Sequence, residues 1–230
     1  MYHDTTSTIR NAFIEKYQYS DFTVGRGGHK MLEIIGASFK ADQPTIIGVV
    51  NQHYVEKEIA WYESMSTNIN DIYLGEKEPP AAWRGTADRN GNINSNYGHL
   101  IWSEKYFSQY WNVCRELNNN PESRRATMVY TRPSIWVEYN EDGKSDFICT
   151  NAVTYYIRDH KVHAVVQMRS NDVVFGYKND YAWQRYLLEK LTNDLIGDAK
   201  AKYTPGDIYW QVQNLHIYGR HFQMLEEYTG

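Results

Sequence analysis

The chain has 230 residues, of which 42% are hydrophobic and 15% aromatic, including 20 tyrosines, enough to bury a large core and too apolar for a disordered tail. Its formal charge of −4 argues against a sequence-independent nucleic-acid binder, whose footprint is basic, but leaves free nucleotides as partners. No apolar run approaches the roughly 20 residues that span a bilayer, and the N-terminus lacks a signal-peptide pattern, so a soluble cytoplasmic protein without a membrane partner is expected.

The spacing of Ile9, Phe13 and Tyr17 predicts a helix from about Thr8 to Tyr19. Met31 to Phe39 and Thr45 to Val50 read as strands, the first preceded by a glycine-rich turn. Val55, Ile59 and Tyr62 predict a helix over Asn51 to Met65, and Tyr106, Tyr110, Val113 and Leu117 predict another over Glu104 to Leu117. Between them, Pro79, Pro80 and the polar run Asp88 to Asn96 carry turn chemistry. Branched and aromatic residues then predict strands over Met128 to Arg132, Trp136 to Tyr139, Phe147 to Arg158 and Val162 to Met168, with a hairpin at Asp159-His160-Lys161. Trp183, Leu187, Leu191 and Leu195 predict a long helix over Asp180 to Leu195, followed by a strand from Ile208 to Val212. No linker or repeat divides the chain. The expectation is one α/β (α+β) domain over residues 1–230, a large mixed β-sheet flanked by helices.

The two cysteines, Cys114 and Cys149, stand in unlike contexts without metal-type spacing, so neither a disulfide framework nor a metal site is expected. Cys149 sits late in a predicted strand. A lone cysteine there is usually a small buried hydrophobe, and a nucleophile needs a cationic neighbour to stabilise its thiolate. Arg124, Arg125 and Arg169 are the candidates, whereas Cys114 on a helix face reads as structural. The turn Gly25-Arg26-Gly27-Gly28-His29-Lys30 combines backbone freedom with positive charge and suits a phosphate, or is a plain solvated hairpin turn. It is not a P-loop, because Met31 follows Lys30 where Ser or Thr should stand. Arg124-Arg125 and Arg169-Ser170 suit phosphate or surface salt bridges. His216 and Tyr218 follow the last predicted strand, and Glu58 lies on a helix whose other face is apolar. Composition and periodicity by themselves stop short of a function.

Several blocks, in shared order and spacing, carry a resemblance. They are Asn120-Pro121-Glu122-Ser123-Arg124-Arg125, then Arg169-Ser170-Asn171-Asp172-Val173 with Gly176, then Leu215-His216-Ile217-Tyr218 with His221. Over nearly its whole length the chain resembles the thymidylate synthase family. Glu33 to Phe39 and Asn94-Ser95-Asn96-Tyr97-Gly98 fit the family's bacteriophage branch acting on deoxycytidylate. The resemblance implies a folate-dependent enzyme and an active homodimer. Cys149 adds to C6 of the pyrimidine, the resulting nucleophilic C5 attacks the methylene carbon of 5,10-methylenetetrahydrofolate, and Glu58 manages protons and water. It also implies that Arg26, Arg169 and Ser170 hold the nucleotide phosphate, with Arg124 and Arg125 reaching across from a second subunit. His216 and Tyr218 match positions at the sugar 3′-hydroxyl, and Asp172, with Trp83 and Tyr97, those beside the pterin.

Asp180 falls where thymidylate synthases place an asparagine that pairs with uracil. Uracil offers an N3 donor and an O4 acceptor, whereas cytosine offers an N3 acceptor and an N4 donor. A protonated Asp180 suits cytosine, as does its carboxylate once N3 is protonated; the alternative role for Asp180 is a helix N-cap. Thr150 and Met168 also depart from the family, replacing a histidine and a glutamine. The branch resemblance implies water addition to give 5-hydroxymethyl-deoxycytidylate. The alternatives are a methyl product formed by hydride from the folate, a deoxyuridylate-acting homologue, or a non-catalytic nucleotide- or RNA-binding protein.

Overall fold

The computed structural model describes residues 4–25, 27–196 and 202–228. The elements begin with β1 (Asp4–Thr5), α1 (Thr6–Gln18), β2 (Thr23–Val24), β3 (Lys30–Lys40) and α2 (Gln52–Ser64). Then come α3 (Ala81–Arg84), α4 (Tyr97–Trp102), α5 (Gln109–Asn119), β4 (Thr127–Val129) and α6 (Ile135–Glu138). The chain continues through β5 (Thr150–Arg158), β6 (Lys161–Asp172), α7 (Gly176–Asp194), β7 (Thr204–Tyr218) and α8 (Gln223–Glu226). The seven strands among the described residues belong to a mixed sheet, so the fold is α/β.

The chain forms two compact units, one of residues 1–50 and 156–230, the other of residues 51–155. In the first, β7 is the central strand, antiparallel to β3 and parallel to β6. Parallel neighbours need a crossover, and α7 supplies it, packing on both strands. The end of β5 turns into β6 through Asp159 and His160, both with positive φ, which is the predicted hairpin. Phe13, Leu32, Phe39, Val166, Leu187, Leu191, Trp210 and Ile217 are buried, each aliphatic or phenyl group contributing about 1.5–3 kcal/mol. In the second unit, β4 lies antiparallel to the start of β5. Trp61, Tyr62, Ile101, Tyr110, Leu117, Tyr130 and Tyr155 form its core, and Cys114 is buried there.

Several sequence expectations change. Thr45 to Val50 is not a strand: Ile46 and Ile47 are fully buried, but Arg10 bonds the carbonyls of Thr45 and Ile46 at 3.0 and 2.6 Å. That side chain satisfies groups that a strand neighbour would otherwise pair. Trp136 to Tyr139 is largely the short helix α6, because Pro133 cannot donate to a ladder and Glu138 N and Tyr139 N bond back to Ser134 O and Ile135 O. The predicted helix from Glu104 breaks at Phe107 and Ser108, both at positive φ, and restarts as α5. The strand predicted from Phe147 starts at Thr150, so Cys149 occupies a bend just before β5 rather than a late strand position. β7 runs on to Tyr218, which puts His216 and Tyr218 inside the strand and not beyond it.

Candidate active site

In the second unit, the helical turn of α2 brings Tyr54 and Glu58 onto one face, as the i, i+4 spacing requires. Tyr54 Oη donates to Glu58 Oε1 at 2.5 Å. Trp83 Nε1, carried on α3, donates to Tyr54 Oη at 2.9 Å and to Glu58 Oε1 at 3.2 Å. Burial pushes the Glu58 carboxyl up to about 7 despite these donors, which favour its anion. The Tyr54 hydroxyl is raised well above its ordinary range, first by burial and then by the Glu58 charge. Tyr54 therefore stays a donor, and Glu58 can exchange a proton near neutrality.

The segment Asn94-Ser95-Asn96-Tyr97-Gly98 is tied to the stretch that precedes Cys149. Buried Asp146 accepts from Asn94 N at 2.6 Å, Ser95 N at 2.8 Å and Ser95 Oγ at 2.6 Å. Asn96 caps α4 by accepting from His99 N at 2.8 Å, and its amide donates to Trp61 O and Ser66 O. Gly98 sits so close to α2 that a Cβ there would lie 1.8 Å from Tyr62 O. Tyr97 then stacks on Tyr62, with ring centroids 5.3 Å apart, and its hydroxyl accepts from Thr150 Oγ1 at 3.0 Å. Thr150, the residue after Cys149, is thus held by Tyr97. Cys149 itself is partly exposed, with Sγ 3.9 Å from Phe147 O.

Ser123 Oγ and Arg125 Nε both donate to Glu116 Oε1, at 2.7 and 2.9 Å. Arg124 and Arg125 are both exposed at this turn.

In the first unit, the β6–β7 register sets Ser170 beside Asn214, Asn171 beside Leu215 and Asp172 beside His216. Asn214 Nδ2 donates to Glu33 Oε2 at 2.7 Å, leaving its Oδ1 to accept from His216 Nδ1 at 3.1 Å. That chain fixes the ring and leaves Nε2 as the acceptor. Burial holds the His216 imidazole below its usual value, so it is neutral at neutral pH. The His216 and Tyr218 rings meet edge to face at 4.9 Å, and Arg169 and Ser170 are half-buried on β6.

Asp172 Oδ1 accepts from Val174 N, Phe175 N and Gly176 N at 3.0, 2.7 and 3.4 Å, closing the N-terminus of α7. Its Oδ2 is buried with no partner among the described residues. Asp172 thus makes the bonds that the N-cap alternative gave to Asp180, which lies inside α7, where its Oδ2 accepts from Asn171 Nδ2 at 2.8 Å. Arg26 lies outside the described residues. Among those described, no cluster of His, Cys, Asp and Glu suits a metal ion.

The structure thus joins Glu58 to Trp83 in one unit, and Asp172 and His216 at neighbouring register positions in the other. Tyr54, Asn171, Asn214 and Glu33 were not singled out from the sequence as site residues. Tyr54 had a signal, four residues before Glu58 on one helix; Glu33 stood in the Glu33 to Phe39 block, but nothing in the sequence pointed to its contact with Asn214, because strand register creates it.

The thymidylate synthase family model matches residues 14–229. The chain belongs to the thymidylate synthase family. It is 52% identical over 209 residues to the deoxycytidylate 5-hydroxymethyltransferase of Enterobacteria phage T4, covering 90% of this chain and 84% of that enzyme. The enzyme of the same name from Enterobacteria phage T6 is equally similar over the same spans, also at 52%. A thymidylate synthase of Fusobacterium nucleatum is 29% identical over 175 residues, 74% of this chain and 58% of that protein. Both strand β6 with its Arg169-Ser170 pair and the Cys149 bend fall inside the thymidylate synthase match.

Proposed function

We propose that this protein is a deoxycytidylate 5-hydroxymethyltransferase, working as one domain over residues 1–230 in the cytoplasm of a bacterial host. The observation that carries the reading is the 52% identity, across 90% of the chain, to phage enzymes of that name. Asp180 gives it a chemical reason, since a carboxyl group can complement cytosine where the family's asparagine complements uracil.

Cys149 is the nucleophile that adds to C6 of the base, exposed enough to be reached and set by the bend before β5. Arg169 and Ser170, with Arg26, take the phosphate of deoxycytidylate. Arg124 and Arg125 reach the nucleotide of a second subunit in a homodimer. Neutral His216 accepts the 3′-hydroxyl through Nε2, beside Tyr218. Asp172 fits 5,10-methylenetetrahydrofolate, because its buried Oδ2 is left to accept from a pterin that brings N–H donors. Trp83 and Tyr97 flank that co-substrate, which supplies the methylene carbon. Glu58 orients water and takes its proton, with a carboxyl at about 7 that changes state in the working range.

Incubation with methylenetetrahydrofolate and either deoxycytidylate or deoxyuridylate tests this, read by product mass and folate absorbance. The expected result is hydroxymethylated deoxycytidylate without dihydrofolate. A methylated product with dihydrofolate would overturn the water route, and a preference for deoxyuridylate would overturn the role of Asp180.

A further inference from the structure

We infer that Asn171 is a specificity-determining positioning residue that decides which oxygen of Asp180 carries a proton and so locks the site to cytosine. The inference rests on the reading of Asp180 as the group that recognises the base.

A side-chain amide has two distinct ends, one accepting and one donating, so an asparagine reads a pyrimidine edge with built-in polarity. A carboxylic acid has none. Its proton can sit on either oxygen, and the two arrangements present opposite donor and acceptor orders. One order suits cytosine and the other suits uracil. A carboxyl group selective for cytosine therefore needs a neighbour that removes the choice.

Asn171 supplies that neighbour. Its Nδ2 only donates, and it lies 2.8 Å from Asp180 Oδ2. With 3% of its surface exposed, Asn171 is shielded from water that could substitute for the bond. Oδ2 is held as an acceptor, and a proton on Asp180 goes to Oδ1. When Asp180 is ionised, the same donor supports the anion, which offers no donor to uracil O4. The remaining amide atom, Asn171 Oδ1, is buried with no partner among the described residues. Cytosine's amino group is a donor able to satisfy an acceptor of that kind, whereas uracil O4 is not. Gly176 keeps the pair in register: a Cβ there would stand 3.0 Å from Asn171 Nδ2 and 3.8 Å from Asp180 Oδ2.

The experiment compares wild type, Asn171→Ala, the isosteric Asn171→Asp and Asp180→Asn. Dissociation constants for deoxycytidylate and deoxyuridylate are measured without folate, and kcat/KM for each is measured with methylenetetrahydrofolate. Both Asn171 variants are expected to lose about tenfold in the preference for deoxycytidylate, with weaker deoxycytidylate binding and tighter deoxyuridylate binding. A structural role alone would weaken both nucleotides together and leave the ratio unchanged, and that result overturns the inference. If Asn171→Ala does not fold, the isosteric variant decides. Should Asp180→Asn keep the wild-type preference, the base-recognition reading itself fails. Should Asp180→Asn change the preference while both Asn171 variants keep the wild-type ratio, Asn171 alone is refuted.

Discussion

Replacing Tyr54 by phenylalanine removes the 2.5 Å hydrogen bond to Glu58 Oε1 and leaves Trp83 as a donor to that oxygen. The bond favours the Glu58 anion, so its loss raises the carboxyl further above its present value of about 7. A hydrogen bond to a charged group contributes about 1.5–3 kcal/mol, which at about 1.36 kcal/mol per pH unit corresponds to a rise of roughly one to two units. Glu58 acts as a base in the proposed reaction, so the ionised form is the active one. The acid limb of the kcat/KM profile, which reports the free enzyme, should then move from about pH 7 in the wild type to roughly pH 8–9 in Tyr54→Phe. At neutral pH the kcat/KM of the variant should be roughly tenfold lower and recover at high pH. The assay is a pH series of kcat/KM for deoxycytidylate, with deoxycytidylate binding measured alongside. An acid limb that stays in place or moves down would refute the argument, as would an equal loss of rate at every pH.

Glu58 also links stability to pH. Its folded carboxyl lies at about 7 against an ordinary 4.5, so the folded protein holds a proton that the unfolded chain releases, and stability falls as pH rises between those values. Glu58→Gln should therefore gain up to about 3 kcal/mol over wild type at pH 8 and little at pH 4, a difference that denaturant unfolding at the two pH values measures. Cys149→Ser should bind deoxycytidylate with near wild-type affinity but show no turnover; hydroxymethylation by the variant would eliminate Cys149 as the nucleophile. Gly98→Ala forces a methyl group to within 1.8 Å of Tyr62 O and should cost at least about 2 kcal/mol, seen as a Tm several degrees lower. An unchanged Tm would mean that α2 and α4 separate freely.

The amino-acid sequence by itself determined the fold class and the four longest helices, α1, α2, α5 and α7, because an apolar side chain every third or fourth residue records a helix face locally. Trp183, Leu187 and Leu191 needed no partner to be read, and the ordered Arg169-Ser170 and His216-Tyr218 blocks were enough to place the chain in its family. Strands were less legible. Ile46 and Ile47 are as apolar as any strand, yet Arg10 takes their neighbourhood's carbonyls, and Trp136-Val137 sits exposed on a short helix. A strand is defined by a partner distant in sequence, which local pattern does not encode. The same physics hid the residues behind the site. Asn171 was in view as a letter between Ser170 and Asp172, but only the start of α7 turns Asp180 back to its amide. Asn214 and Glu33 stand 181 residues apart and meet only because β3 and β7 pair in this register. Sequence named the groups that carry charge and nucleophilicity; tertiary structure decided their neighbours, and through burial and hydrogen bonding those neighbours hold Glu58 near neutrality and His216 uncharged.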